Sequence, residues 1–89
     1  MTNQNNKKQV SIEELKKILQ SLNAAYRADQ QTEKSDLFAN GILDSLSLIQ
    51  FVMAIEKNFQ IRLENEDITY EKFKSLGLIK ELLLKKYIL

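Results

Sequence analysis

The sequence contains no cysteine, no histidine and no proline, and it has only two glycines. Without cysteine the chain has no disulfide and no thiol to act as a nucleophile or metal ligand. Without histidine it lacks the side chain that most often serves as a general base near neutral pH. These absences exclude most catalytic chemistry. The scarcity of proline and glycine leaves few enforced breaks, and the abundant Leu, Lys, Glu and Ile favour helix over strand.

Length and charge narrow the function further. A chain of 89 residues that is 44% hydrophobic can build one small domain, but not a core and a deep active site together. The net charge of +1 gives no general attraction to nucleic acid or to anionic lipid. No apolar run is long enough to span a bilayer, so we predict a cytoplasmic protein without a membrane span. We also predict a monomer that has no nucleic-acid partner.

The charges are unevenly distributed along the chain. Residues 1–29 carry a net charge of +2, residues 30–67 carry −4, and residues 68–89 carry +3. Such runs are usually solvated faces, and the alternative is that they indicate the charge of a partner.

The first third of the chain predicts a tail, a helix and a loop. Residues 1–10 are rich in Asn, Gln and Lys, which predicts a disordered tail. Ser11 and Glu14 fit a capping box, and one apolar face then continues to about Ala28. This face comprises Ile12, Leu15, Ile18, Leu19, Leu22 and Tyr26. From Asp29 to Gly41 no period is sustained, so we predict a long loop held to the core by Leu37, Phe38 and Ile42.

A second helix is predicted to begin at Asp44 or Ser45 and to end near Phe59, and it is apolar on two opposite faces. One face is a normal core stripe of Leu48, Phe51, Val52, Ile55 and Phe59. The other face, which we call the second stripe, consists of Leu46, Ile49 and Met53, with Gln50 and Lys57 beside it. In a small domain only one face can meet the core, so the second stripe is either scattered surface residues or a docking surface.

The remaining residues predict one short helix and one longer helix. Ile61 and Leu63 are expected to anchor an extended segment. Thr69 or Asp67 can cap a short helix over residues 70–74. Ser75 can cap a last helix whose apolar face is formed by Ile79, Leu82, Leu83 and Tyr87. The predicted fold is therefore all-α, a small four-helix bundle of three main helices and one short helix.

Ser45 stands at the start of the second helix, and we consider three roles for its hydroxyl. The first is a catalytic nucleophile, which needs a base within reach, and the sequence has no histidine to supply one. A nucleophile elbow is excluded, because it needs glycine two residues to each side, where Leu43 and Ser47 stand. A structural role is helix capping, by Asp44 or Ser45. In the third role the hydroxyl carries an attached phosphodiester, because the helix dipole and the free N–H groups of a helix N-terminus favour an anion.

At these residues the sequence resembles the acyl carrier protein family, which includes peptidyl and D-alanyl carrier proteins. Asp36-Leu37-Phe38 followed by the run from Gly41 to Leu46 is similar to the family's loop and its Asp-Ser-Leu motif. The run from Ala54 to Phe59 resembles the end of the family's second helix, and that from Glu66 to Thr69 resembles the entry to its last helix. The resemblance covers nearly the whole chain after Ser11.

The resemblance implies a carrier domain over residues 11–89 that is not an enzyme. Ser45 would receive 4'-phosphopantetheine from coenzyme A through a phosphopantetheinyl transferase, and Asp44 would belong to the transferase recognition motif. The arm would hold an acyl or aminoacyl thioester, so the reactive thiol would come from the prosthetic group. The implied partners are an adenylating enzyme and a downstream transferase or synthase. They would meet the second stripe, with Gln50 and Lys57 at its border, and no metal site is implied.

The second helix departs from the fatty-acid type of carrier, which usually presents a strongly acidic helix there. Here Glu56 is its only acidic residue after Asp44. Docking should therefore depend more on apolar contact than on charge, which favours a specialised pathway such as amino-acid activation, peptide assembly or polyketide assembly. The alternative is an unmodified helical module that binds a partner helix through Leu46, Ile49 and Met53.

Overall fold

The computed structural model describes residues 10–22 and 31–88. Within these ranges the chain has four α-helices and no strand: α1 (Ile12–Leu22), α2 (Ser45–Phe59), α3 (Tyr70–Phe73) and α4 (Leu76–Leu82). A 3-10 turn over Asn65–Asp67 precedes α3, and a π-helical turn over Leu83–Tyr87 continues α4. The predicted small helical bundle, with three main helices and one short helix, is confirmed.

The helix starts follow the predicted caps. The side-chain oxygen of Ser11 accepts the N–H of Glu14 at 3.1 Å, and Ser75 accepts the N–H of Leu78 at 3.2 Å. Of the two candidates for α3, Thr69 is the cap. Of the predicted tail over residues 1–10, residues 1–9 lie outside the described residues, and Val10 is buried against the core rather than part of a disordered tail. The predicted end of the first helix over residues 23–28 also lies outside the described residues.

The core lies where α1 packs against α2 and α4, and α3 closes it by packing against α4. It also includes side chains from the connecting segments. As predicted, Leu37 and Ile42 are buried and Phe38 is partly buried, while Leu63 is buried beside a half-buried Ile61. Val10, which precedes α1, is buried as well. The core side chains with no exposed surface are Leu15, Leu19, Leu37, Phe51, Ile55, Phe73, Leu76, Ile79 and Leu83.

None of the helices in residues 10–22 and 31–88 combines the length and apolar character that crossing a membrane requires.

Gly77, in the first turn of α4, lets the loop approach the helix closely. Its N–H donates to the carbonyl oxygen of Glu33 at 2.9 Å, and a β-carbon at Gly77 would lie 3.0 Å from the same oxygen. Helix propensity alone predicts that Gly77→Ala stabilises the protein by about 1 kcal/mol. Because the neighbouring atom is backbone, we expect Gly77→Ala to destabilise it instead, by about 0.5–1 kcal/mol in urea unfolding. A more stable variant would show that the loop moves aside freely.

Candidate functional site: the start of helix α2

Asp44 and Ser47 close the first turn of α2 by bonding each other in both directions. Asp44 has an extended backbone, and its carboxylate accepts the N–H of Ser47 at 2.9 Å. The hydroxyl oxygen of Ser47 accepts the N–H of Asp44 at 2.8 Å. The bond from the Ser47 N–H, followed by that from its hydroxyl, holds the pKa of Asp44 below its ordinary value. Asp44 is therefore a charged helix cap, which settles the choice left open between Asp44 and Ser45.

Ser45 is the first residue of α2, and it is exposed. Since the capping bonds are made by Asp44 and Ser47, the structure gives the Ser45 hydroxyl no part in the cap. A phosphodiester attached there would extend into open solvent, next to the positive end of the α2 dipole. The site therefore gives an attached group open access to solvent.

Ser47 is a functional neighbour that the sequence did not single out. It is buried, and its hydroxyl lies 2.9 Å from the Asp44 carboxylate and 3.4 Å from the carbonyl oxygen of Ile42. It thus links the end of the loop to the first turn of the helix. The available signal was an Asp-x-x-Ser spacing, a variant of the capping box in which serine replaces the usual Glu or Gln.

The second stripe of α2 is open to solvent over its whole length. Leu46 is 68% exposed, Ile49 49% and Met53 62%, whereas Phe51, Val52 and Ile55 on the opposite face are buried. Gln50 and Lys57 beside the stripe are exposed too. The predicted division of α2 into a core face and an outward face is confirmed. The outward face begins one residue after Ser45.

Glu56, the one acidic residue of α2 after Asp44, is engaged within the domain. Its carboxylate accepts the N–H of Leu63 at 2.9 Å and so holds the extended segment that follows α2. Glu56 supplies the only carboxylate within α2, and Lys57 supplies the only ammonium. A partner that docks here meets apolar surface with little negative charge.

The buried carboxylate of Asp67 bonds to side chains from the C-terminal part of the fold. Sequence reasoning missed this cluster. The side chain of Asp67 is only 1% exposed, and it lies 2.6 Å from the ammonium of Lys72 and 2.8 Å from that of Lys86. The hydroxyl of Tyr87 donates to the same carboxylate and accepts the N–H of Glu64 at 3.0 Å. Bonds from Lys72, Lys86 and Tyr87, in that order, hold the pKa of Asp67 well below its ordinary value.

Lys86 also pairs with the other carboxylates of the acidic cluster around Asp67. Its ammonium lies 3.1 Å from a carboxylate oxygen of Glu64 and 3.4 Å from one of Glu66. The bond to Asp67, followed by those to Glu64 and Glu66, raises the pKa of Lys86. The three carboxylates lie close enough together to ligate a cation, but here the lysine occupies their common centre. Part of the charge contrast between residues 30–67 and residues 68–89 is therefore satisfied inside the domain.

Comparison with protein families gives a match over residues 13–83 to a family described as "phosphopantetheine attachment site". Comparisons with curated proteins and with solved structures return no match. The family match covers α1 through α4, with the start of α2 inside it. Members of this family bear covalently bound 4'-phosphopantetheine and interact with partner enzymes. The chain belongs to the phosphopantetheine attachment site family, that of the acyl carrier proteins, and is a carrier of covalently attached 4'-phosphopantetheine.

Proposed function

We propose that Ser45 is the attachment residue, and that the chain carries acyl or aminoacyl groups as thioesters on its phosphopantetheine arm without catalysing a reaction itself. The observation that carries this proposal is an exposed serine at the first position of α2, left out of a cap that Asp44 and Ser47 complete. A hydroxyl that the fold does not use is available to a modifying enzyme. The same proposal places the protein in the cytoplasm with its supply of coenzyme A.

The modification is a transfer of the phosphopantetheine group, catalysed by a phosphopantetheinyl transferase. The oxygen of Ser45 forms a bond to the phosphorus that bears the pantetheine of coenzyme A. The pyrophosphate bond breaks, and adenosine 3',5'-bisphosphate leaves with the electron pair. A base of the transferase takes the serine proton, since this chain has no histidine to do so. Asp44 immediately precedes Ser45, and the transferase would recognise it.

Intact-protein mass spectrometry tests the attachment residue. The parent, Ser45→Ala and Ser21→Ala are each incubated with coenzyme A and a broad-specificity phosphopantetheinyl transferase. Ser21 is a matched control because it is an exposed serine on α1. We expect the parent and Ser21→Ala to gain the mass of one phosphopantetheine, and Ser45→Ala to gain none.

Two outcomes would contradict this assignment. A gain that survives Ser45→Ala would move the attachment to another hydroxyl. The absence of any gain in a parent that circular dichroism shows to be helical would instead favour the alternative, an unmodified module that binds a helix through the second stripe.

The proposal includes the partners and the type of pathway. The transferase, an adenylating enzyme that loads the arm, and a downstream transferase or synthase would each dock on Leu46, Ile49 and Met53. Because Glu56 is the only acidic residue within α2, this helix offers little negative charge to a basic partner surface, and this supports a specialised pathway of amino-acid activation, peptide assembly or polyketide assembly. Efficient elongation of the loaded protein by a fatty-acid ketosynthase would count against it.

A further inference from the structure

Asp36, in the loop before α2, bonds to its own turn and to α3 at once. One carboxylate oxygen accepts the N–H groups of Phe38 and Ala39, both at 3.0 Å. The other accepts the hydroxyl of Tyr70, the first residue of α3, at 2.7 Å. The bond from Ala39, followed by that from Tyr70, lowers the pKa of Asp36, while the bond to Asp36 raises the pKa of Tyr70. At neutral pH the carboxyl group of Asp36 is therefore ionised and the hydroxyl of Tyr70 is protonated, as this bond requires.

The ring of Tyr70 supports the same contact from the side. Its centroid lies 5.1 Å from that of Phe38, and the ammonium of Lys74 lies 5.6 Å from the ring centre. Tyr70 is nevertheless 49% exposed, so burial of its ring contributes less than in a core aromatic residue. The hydroxyl bond to Asp36 is the directional part of the contact.

From Asp36 a continuous set of backbone bonds leads to the start of α2. The N–H of Leu37 donates to the carbonyl of Lys74 at 2.7 Å, which fixes the loop beside the end of α3. The carbonyl of Leu37 then accepts the N–H groups of Ile42 and Leu43, at 2.9 and 3.0 Å. Leu43 immediately precedes Asp44, so the loop bonds end at the helix cap.

We infer that Tyr70 is a positioning residue for modification: through Asp36 it fixes the loop over residues 36–43 and thereby the orientation of Ser45 presented to the transferase. The effect on modification rests on the proposed function, whereas the link from Tyr70 through Asp36 to the loop does not depend on it. Tyr70 touches neither the reacting atoms nor, on this account, the transferase. Loss of its hydroxyl should allow the loop to open more often, so that fewer molecules hold Ser45 ready for binding.

The test compares Tyr70→Phe, Asp36→Asn, the double variant and Tyr87→Phe with the parent. Tyr70→Phe keeps the ring contacts and removes only the hydroxyl. Tyr87→Phe is the matched control, because it also removes a tyrosine hydroxyl bonded to an aspartate, in this case Asp67. Hydrogen exchange of the amides at 38, 39, 42 and 43 is followed by NMR, and transferase kinetics are measured with the carrier as the varied substrate.

For Tyr70→Phe we expect these four amides to exchange about three- to tenfold faster, because exchange follows the open population. KM for the carrier should rise in inverse proportion to the closed fraction that remains, with kcat within about twofold. The effect of Asp36→Asn should be smaller in the Tyr70→Phe background than in the parent, because the part of it that acts through the Tyr70 hydroxyl is already lost there. Tyr87→Phe should leave KM unchanged. It should also leave unchanged the exchange rates of the four loop amides relative to those of the amides in the core of α2.

Each contrary result has a separate meaning. Unchanged loop exchange in Tyr70→Phe would overturn the structural link, whether or not Ser45 is modified. Faster loop exchange with an unchanged KM would overturn the positioning role. Failure of the parent to be modified would overturn the proposed function, and the exchange data would still decide whether Tyr70 holds the loop.

Discussion

Replacing Asp67 by alanine is expected to lower the free energy of unfolding by about 2–3 kcal/mol. The substitution removes a buried carboxylate that accepts bonds from two ammonium groups and from the hydroxyl of Tyr87. Lys72 and Lys86 are 46% and 39% exposed and can return to water, so the expected loss lies below that of breaking a fully buried ion pair. Urea unfolding measures this loss directly, and the melting temperature should fall by about 10–15 °C.

The neighbouring lysines supply a matched control for the same network. Lys86→Met removes contacts to three carboxylates, whereas Lys85→Met removes one exposed pair with Glu81 at 3.9 Å. We expect Lys86→Met to lower the melting temperature clearly and Lys85→Met to leave it nearly unchanged. Equal effects of the two substitutions would mean that the network around Asp67 adds nothing beyond an ordinary surface pair.

The pH dependence of stability should carry the signature of Asp67. Its folded pKa lies below the ordinary value of 3.8, so its stabilising contribution is complete above that value and declines as the pH falls through it toward the folded pKa. The difference in unfolding free energy between the parent and Asp67→Asn should therefore be constant from about pH 7 to pH 5 and shrink below about pH 4. A difference that stayed constant in acid would show that the Asp67 charge does not contribute.

Features that depend on neighbours in sequence were predictable. The caps at Ser11, Thr69 and Ser75 follow from one hydroxyl placed just before an apolar run, because capping bonds span three residues. The two faces of α2 follow from the angle of about 100° between successive residues of a helix. The same rules place Ser45 at the start of α2 and the second stripe on the face of α2 opposite the core.

Contacts between distant segments could not be predicted in the same way. The bond between Tyr70 and Asp36 joins residues 34 positions apart, and Lys86 reaches Asp67 across 19 positions. Lys86 and Tyr87, both in the π-helical turn after α4, both bond to Asp67. The sequence placed Tyr87 on the apolar face of the last helix and Asp67 among the candidate caps, and only packing brings the two side chains together. Sequence reasoning therefore located the start of α2, where we propose the attachment, but not the contacts that hold the loop and the C-terminal turn.

Charged substitutions in the second stripe are expected to impair docking without impairing the fold. Leu46→Asp and Met53→Asp should each lower kcat/KM for modification by the transferase about tenfold or more, because an apolar contact would then have to bury a charge. Both residues are more than 60% exposed, so the unfolding free energy should change by no more than about 0.5 kcal/mol. Urea unfolding and transferase kinetics on the same preparations separate the two effects.

Leu84→Asp is the control, since Leu84 is also exposed, at 42%, but lies in the C-terminal turn. If Leu84→Asp lowers kcat/KM as much as Leu46→Asp does, the effect is one of charge on the whole molecule and the stripe is not the docking face. The small number of charges on α2 adds a second criterion. Because Glu56 and Lys57 are the only charged residues within α2, raising the salt concentration should change KM of the parent by less than about twofold, whereas a docking face recognised mainly through charge would weaken steeply.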